Sequence, residues 1–214
     1  MFWLIFAIAV WGIFHSLLAS LRIKNLFHRS LGDTFMKFYR LLYNTFALIS
    51  IVPVLYLMIS LPDQTLYQAP VPWNFMMLAG QAVSVMLLFV AVLQTDLLSF
   101  AGLRQLIEEE KIGSLVTNGL YRSVRHPLYT FSLLILWLSP SMSVNSFIVY
   151  TALTIYILIG IFFEERKLLR EFGQAYADCK SRTPMLIPFL SKTVAQRRAP
   201  TGNSPGTNHF DGSF

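Results

Sequence analysis

Four stretches of this 214-residue chain are each about as long as a bilayer is thick, and they decide what it can become. A hydrocarbon core of about 30 Å takes about 20 mostly apolar residues in a helix to cross. The stretches run over about residues 2–20, 41–61 (LLYNTFALISIVPVLYLMISL), 73–95 and 144–163. A shorter one, PLYTFSLLILWLS at 127–139, is closed by Pro140 and followed by a turn, SPSMSVN. It is placed to form a helical hairpin with the run at 144–163. Backbone polar groups in lipid must be satisfied within the segment, so these runs are read as helices. The first begins without a basic leader and has no clear cleavage site. It is read as a retained transmembrane helix and not a signal peptide.

The basic residues test how often the chain crosses. Lys and Arg gather in cytoplasmic loops. Five of the seventeen fall in 21–40, four in 96–126 and eight in 164–214; none falls in 61–72 or 139–146. Five crossings satisfy that distribution, with the N-terminus outside and the C-terminus in the cytoplasm. The fold class expected is therefore an all-α integral membrane protein. It has about five transmembrane helices, a C-terminal helical hairpin and a cytoplasmic helix extension.

The net charge of +6 follows from this one-sided placement, and no nucleic-acid partner is needed to explain it. A single cysteine, Cys179, allows no internal disulfide, and four scattered histidines offer no metal-ligand spacing. Pro53 marks a kink in the second run. Residues 96–112 read as an interfacial amphipathic segment, and Thr117-Asn118-Gly119 as a turn. After Phe163, Leu168, Leu169, Phe172 and Tyr176 keep helical spacing. One long helix is expected to leave the membrane there and to end near Pro184 and Pro188. The tail, 191–214, has a disordered composition. Three units result: 1–112, transmembrane helices and the interfacial segment; 113–190, the core carrying the chemistry; and 191–214, the tail.

Two polar constellations interrupt this apolar plan. The first is YRSVRHPLYT, 121–130. Proline is favoured at the first helical position, so His126-Pro127 starts a helix at the membrane boundary. A helix N-terminus with Arg122, Arg125 and His126 beside it suits a carboxylate or phosphate. The plain alternative is a set of basic anchors facing lipid headgroups; Tyr121, His126 and Tyr129 are more than anchoring requires. The second is Glu164-Glu165, where the last apolar run ends. Ionisable groups at membrane depth usually face a cavity or a partner. Glu164 alternatively pairs with Lys167, whereas Glu165 has only leucines at the matching positions. His15, Asn44 and Gln81, inside spans, read as inter-helix hydrogen-bond partners.

The order GSLVTNGLYRSVRHPLYT, then EERKLLREFGQAYADCKSRTPMLIPF, resembles the C-terminal half of the isoprenylcysteine carboxyl methyltransferase-like membrane enzymes. Phospholipid N-methyltransferases share a looser version. The likeness covers about residues 113–189, carried by RHPxY, the acidic pair and FGxxY…P…IP. HSLLAS and YRLLYN are similar to the bacterial branch. The resemblance implies an S-adenosylmethionine-dependent methyltransferase in the bacterial inner membrane, acting on a lipophilic or small membrane-partitioning acceptor at the cytoplasmic face without a metal. It implies that Gly113, Ser114, Leu115, Val116, Tyr121, His126, Pro127, Leu128, Tyr129 and Glu164 hold the cofactor. Arg125 and Glu165 are the candidates for proton handling. Where the prenylcysteine enzymes carry a substrate-associated arginine, this chain has Gly160, which points away from a prenylated carboxylate. A non-catalytic subunit that retains the fold, or a small transporter, is the competing reading. Transporters tend to place polar groups near the midplane, whereas here they sit at the mouth.

Overall fold

The computed structural model describes residues 1–95, 103 and 115–188. Its helices are α1 (Phe2–Ala19), α2 (Leu21–Ser50), α3 (Val52–Ser60), α4 (Trp73–Gln94), α5 (Leu120–Ser123), α6 (Pro127–Trp137), α7 (Val144–Phe172) and α8 (Gln174–Arg182). Two short strands, β1 (Thr65–Gln68) and β2 (Ser141–Ser143), complete the described elements. The protein is an all-α integral membrane protein apart from this ribbon. Four helical stretches are long and apolar enough to cross a bilayer. Their outward faces carry exposed Phe2, Phe6, Phe75, Met86, Phe89, Ile159 and Phe162, a surface that water would not tolerate but lipid does.

The ribbon marks one end of the bundle. β1 and β2 pair antiparallel, with Tyr67 opposite Met142 and Gln68 opposite Ser141. The two loops that lack Lys and Arg are thus hydrogen-bonded to each other. Asn145 fixes this end further. Its side-chain amide is shared among the carbonyls of Met58, Leu61 and Pro62, 3.3–3.4 Å away, where α3 ends. Asp63 accepts the Asn145 N–H at 3.0 Å, placing a carboxylate at the positive end of α7. Burial would raise the Asp63 pKa, but hydrogen bonds from Ser143 and from the amides of Asn145, Gln64 and Val144 outweigh it and hold it below the ordinary value. Beneath lies the apolar contact of Leu4, Val54 and Val149, which joins α1, α3 and α7.

From this end the chain runs to the far end and back. α6 lies antiparallel to α4: Gln81 donates to the Ile135 carbonyl at 2.7 Å, and Leu120 N–H donates to Gln94 at 2.9 Å. The short run at 127–139 therefore connects the two ends, and the described chain makes five passes. Only 11 residues of it are helical, about 16 Å of rise.

Three features depart from the sequence expectation. The polar residues 21–40 are helical, and α2 is broken at Gly32 (φ 75°), a conformation that glycine adopts without a Cβ penalty. Its two arms fold together, Phe27 against Phe35 and Tyr39. The kink expected at Pro53 appears two residues earlier, at Ile51, because proline fits the first turn of the new helix. The single long helix after Phe163 is two: Gly173 (φ 52°) ends α7, and α8 turns back so that Tyr176 is buried. The interfacial segment 96–112 and the tail lie outside the described residues, but for Leu103.

Candidate active site at the basic end

The site begins with a turn. Gly119 (φ 58°) lets the chain reverse into α5, and the Gln94 side chain fills the space where a Cβ would stand. Val124 is buried, His126 precedes α6, and Pro127 occupies its first turn. The segment after α8 lies alongside: Arg125 and His126 N–H groups donate to the carbonyls of Pro184 and Met185, and the Thr130 hydroxyl to that of Leu186. The FGxxY…P…IP stretch is thus a strap across the start of α6.

Arg125 is the hub of that strap. Its Nε and Nη2 donate to Glu165 Oε1, the former at 2.9 Å, and its Nη1 to the carbonyls of Lys180 and Thr183. Its side chain is 8% exposed, and that of Glu165 is 10% exposed. Lys180 Nζ reaches the other Glu165 oxygen at 2.7 Å. Tyr176 is buried against this pair, and burial together with Glu165 pushes its hydroxyl pKa up, against the opposing influence of Arg125. A buried carboxylate is tolerable only when paired and hydrogen-bonded, and Glu165 is both.

Glu164 faces the other way and carries a different set. Tyr129 donates to Glu164 Oε2 at 2.8 Å, and His126 Nδ1 stands 3.9 Å from the same oxygen. Glu164 Oε1 has no hydrogen-bond donor among the described residues, and the side chain is 41% exposed. Lys167, the expected helical partner, pairs with Glu171 instead. His126 Nε2 stands 3.4 Å from Glu165, so this ring bridges the two carboxylates. Burial lowers the His126 pKa; the two carboxylates oppose that and Arg125 adds to it, leaving the imidazole below its ordinary value. Tyr121 is pushed up to about 12, by burial and then by Glu164.

The structure therefore gathers Tyr121, His126, Tyr129 and Glu164 on one side and Arg125 with Glu165 on the other. Pro127 is buried and Leu128 half-buried in the first turn of α6. Leu115 and Val116 are half-buried just before the Gly119 turn, whereas Gly113 and Ser114 lie outside the described residues. Arg122 is exposed and takes no part in the cluster. Lys180, Tyr176 and Thr183 were missed as partners of Arg125; the helical spacing around Tyr176 concealed the turn at Gly173.

Fold and site together define a membrane-embedded helical bundle with a polar, charge-lined mouth at one end. The NnrU protein family profile matches residues 3–196, and the chain belongs to that family. It is similar to the methanethiol S-methyltransferase of Crocosphaera subtropica, 35% identical over 132 residues, which cover 56% of this chain and 52% of that protein. It is 44% identical over 86 residues to methanethiol S-methyltransferase 2 of Bradyrhizobium diazoefficiens, covering 40% and 32%. It is 40% identical over 80 residues to the methanethiol S-methyltransferase of Pseudomonas deceptionensis, covering 37% and 30%. The chain spans about half the length, or less, of these curated relatives. No solved structure matches it at a significant level.

Proposed function

We propose that this chain uses S-adenosylmethionine to methylate a small thiol that partitions into the membrane, with its basic end on the cytoplasmic side. The observation that carries the reading is the closure of the 121–130 segment on Glu164, from 35 residues away, with one carboxylate oxygen left without a donor among the described residues. The relatives named as methanethiol S-methyltransferases support a small thiol as acceptor.

The residues present fit the donor. Glu164 Oε1 is an acceptor waiting for a hydroxyl or an ammonium, and the first turn of α6 beside His126 suits a carboxylate. Residues 113–116, Tyr121, Pro127, Leu128 and Tyr129 would line the remainder. When bound, S-adenosylmethionine supplies a methyl group already activated on a sulfonium, so orientation can provide much of the rate. Arg125 and Glu165 have their hydrogen-bonding capacity committed to each other, to Lys180 and to the strap, and we assign them to positioning. They hold His126 and the start of α6 against α7.

Calorimetry with S-adenosylhomocysteine on detergent-purified protein tests this, wild type beside His126→Ala and Glu164→Ala. Binding by the wild type, weakened at least about tenfold in each variant, is expected. No binding by the wild type overturns the reading. Binding without methyl transfer to methanethiol or any other thiol would favour a non-catalytic subunit that keeps the site.

A further inference from the structure

We infer that His15, held by Tyr43, is the acceptor side of this site: it takes the proton of the thiol as the thiol is methylated. The inference rests on the methyl-transfer reading and extends it into the membrane. His15 lies on α1 four residues before its end, on the half of the bundle that carries Glu164. Its Nε2 stands 2.7 Å from the Tyr43 hydroxyl. Trp11 stacks on the ring at 5.1 Å and Tyr156 meets it edge-on at 5.6 Å. Its Nδ1 is buried and has no hydrogen-bond partner among the described residues. A buried polar atom left alone costs about 1–3 kcal/mol, and Trp11 Nε1, on the ring stacked against His15, is likewise without a partner among the described residues. With the proton on Nε2 and donated to Tyr43, Nδ1 presents a lone pair.

This nitrogen is connected to the mouth. Tyr156, Gly160 and Glu164 stand on successive turns of α7, and a Cβ built on Gly160 would meet nothing within 4 Å. Space therefore exists between the tyrosine and the carboxylate. Tyr129, on the facing helix α6, is bonded to Glu164. Tyr43 also lines an apolar hollow of about 150 Å³, together with Leu18, Phe27, Phe35, Tyr39, Leu42 and Phe46. It has room for a molecule of a few heavy atoms and offers no charge to hold an ionised one. A small neutral thiol fits that description, and it must lose its proton to react well. The titratable groups that face His15 are Tyr43 from α2 and Tyr156 from α7.

The chemistry balances with these groups. The S–H bond of the thiol breaks and its proton goes to His15 Nδ1. The acceptor sulfur forms its new bond to the donor's methyl carbon as the methyl–sulfonium bond breaks, the electron pair staying on the leaving sulfur. His15 then releases one proton to solvent for each methyl transferred.

The test titrates ethanethiol into full-length protein loaded with S-adenosylhomocysteine, and follows radiolabelled methyl transfer to ethanethiol from pH 6 to pH 9. His15→Phe is expected to keep S-adenosylhomocysteine affinity within about twofold while ethanethiol binding weakens about tenfold. Turnover should fall by about 10²-fold, the usual contribution of a positioned base. Raising the pH should restore part of it, because the thiol then ionises unaided; a packing defect would not respond in that way. Tyr43→Phe should give a smaller loss of the same kind. Thiol binding and turnover within twofold of wild type in His15→Phe would overturn the inference. So would equal loss of S-adenosylhomocysteine and thiol binding in both His15→Phe and the milder His15→Asn, which would assign His15 to packing. A wild type that binds ethanethiol but not S-adenosylhomocysteine would overturn the donor reading and leave the acceptor site standing.

Discussion

The two ends of this bundle are closed by opposite means. At the ribbon end, Asn145 and the β1–β2 pairing use neutral hydrogen bonds, joined by the one exposed carboxylate of Asp63. At the basic end, Arg125, Glu165, Lys180 and His126 form a partly buried charged network. A neutral closure needs no counter-charge and can be permanent. The charged one is costly to desolvate, and on the proposed reading that cost serves to hold a polar ligand. The contrast separates a structural end from the proposed working end.

The sharpest way to break that contrast is to remove one partner of the buried pair. Glu165→Ala is expected to destabilise the protein by about 3–5 kcal/mol, since Arg125 is left buried without a counter-charge, whereas Arg125→Ala should cost less because Lys180 still pairs with Glu165. Thermal unfolding in detergent measures this, and S-adenosylhomocysteine binding should disappear with it. The double variant Arg125→Met, Glu165→Leu should recover part of the stability but none of the binding. If the single variants cost no more than surface substitutions, the network does not hold the end together.

Next in size, Asn145→Ala should cost about 1–3 kcal/mol, because three carbonyls at the end of α3 lose their donor. Calorimetry should show S-adenosylhomocysteine affinity unchanged, which is what a purely structural end predicts. Tyr129→Phe should do the reverse. It should lower the unfolding midpoint less than Asn145→Ala does and weaken S-adenosylhomocysteine binding by about tenfold or more, through loss of one hydrogen bond to a charged group.

The smallest effects appear on acidification, with a different window at each end. The His126 pKa lies below its ordinary 6.5, so stability should decline as pH falls below about that value toward the lower folded one. The Asp63 pKa lies below 3.8, so its contribution is complete above that value and is lost as pH falls through the lower folded one. His126→Gln should remove the first decline and Asp63→Asn the second, as read by unfolding midpoints across pH.

The passes of the chain were legible because they depend on long-range averages: run length and the side on which Lys and Arg accumulate. The 127–139 segment shows this well. Its length alone is short for a span, yet the absence of basic residues in 139–146 required it to reach the other end, and the ribbon pairing places it there. The pairings inside the site were legible only in part. RHPLY and the acidic pair announced themselves as polar groups in apolar surroundings, and the structure brings Tyr129 to Glu164. The exchange of partners was not readable: Glu165 takes Arg125 from 40 residues away, because Gly173 turns α8 back and supplies Lys180. The reversal at Gly173 comes from a single positive φ inside an unbroken helical pattern, which periodicity does not reveal. His15 read as an ordinary inter-helix partner; its bond to Tyr43 fits that reading, while the lack of a partner for Nδ1 among the described residues is visible only in three dimensions.

The brevity of α6 has a consequence for the bilayer itself. Gln81 pairs with Ile135, so the 13 residues from Gln81 to Gln94 rise about 20 Å, whereas the 8 residues from Ile135 back to Pro127 rise about 12 Å. His126 and Pro127 therefore sit about 8 Å short of the level of the tip of α4, beneath the strap of Pro184, Met185 and Leu186. On the reading proposed above, a charged methyl donor would meet this step from the aqueous side and a thiol would meet it from the lipid side.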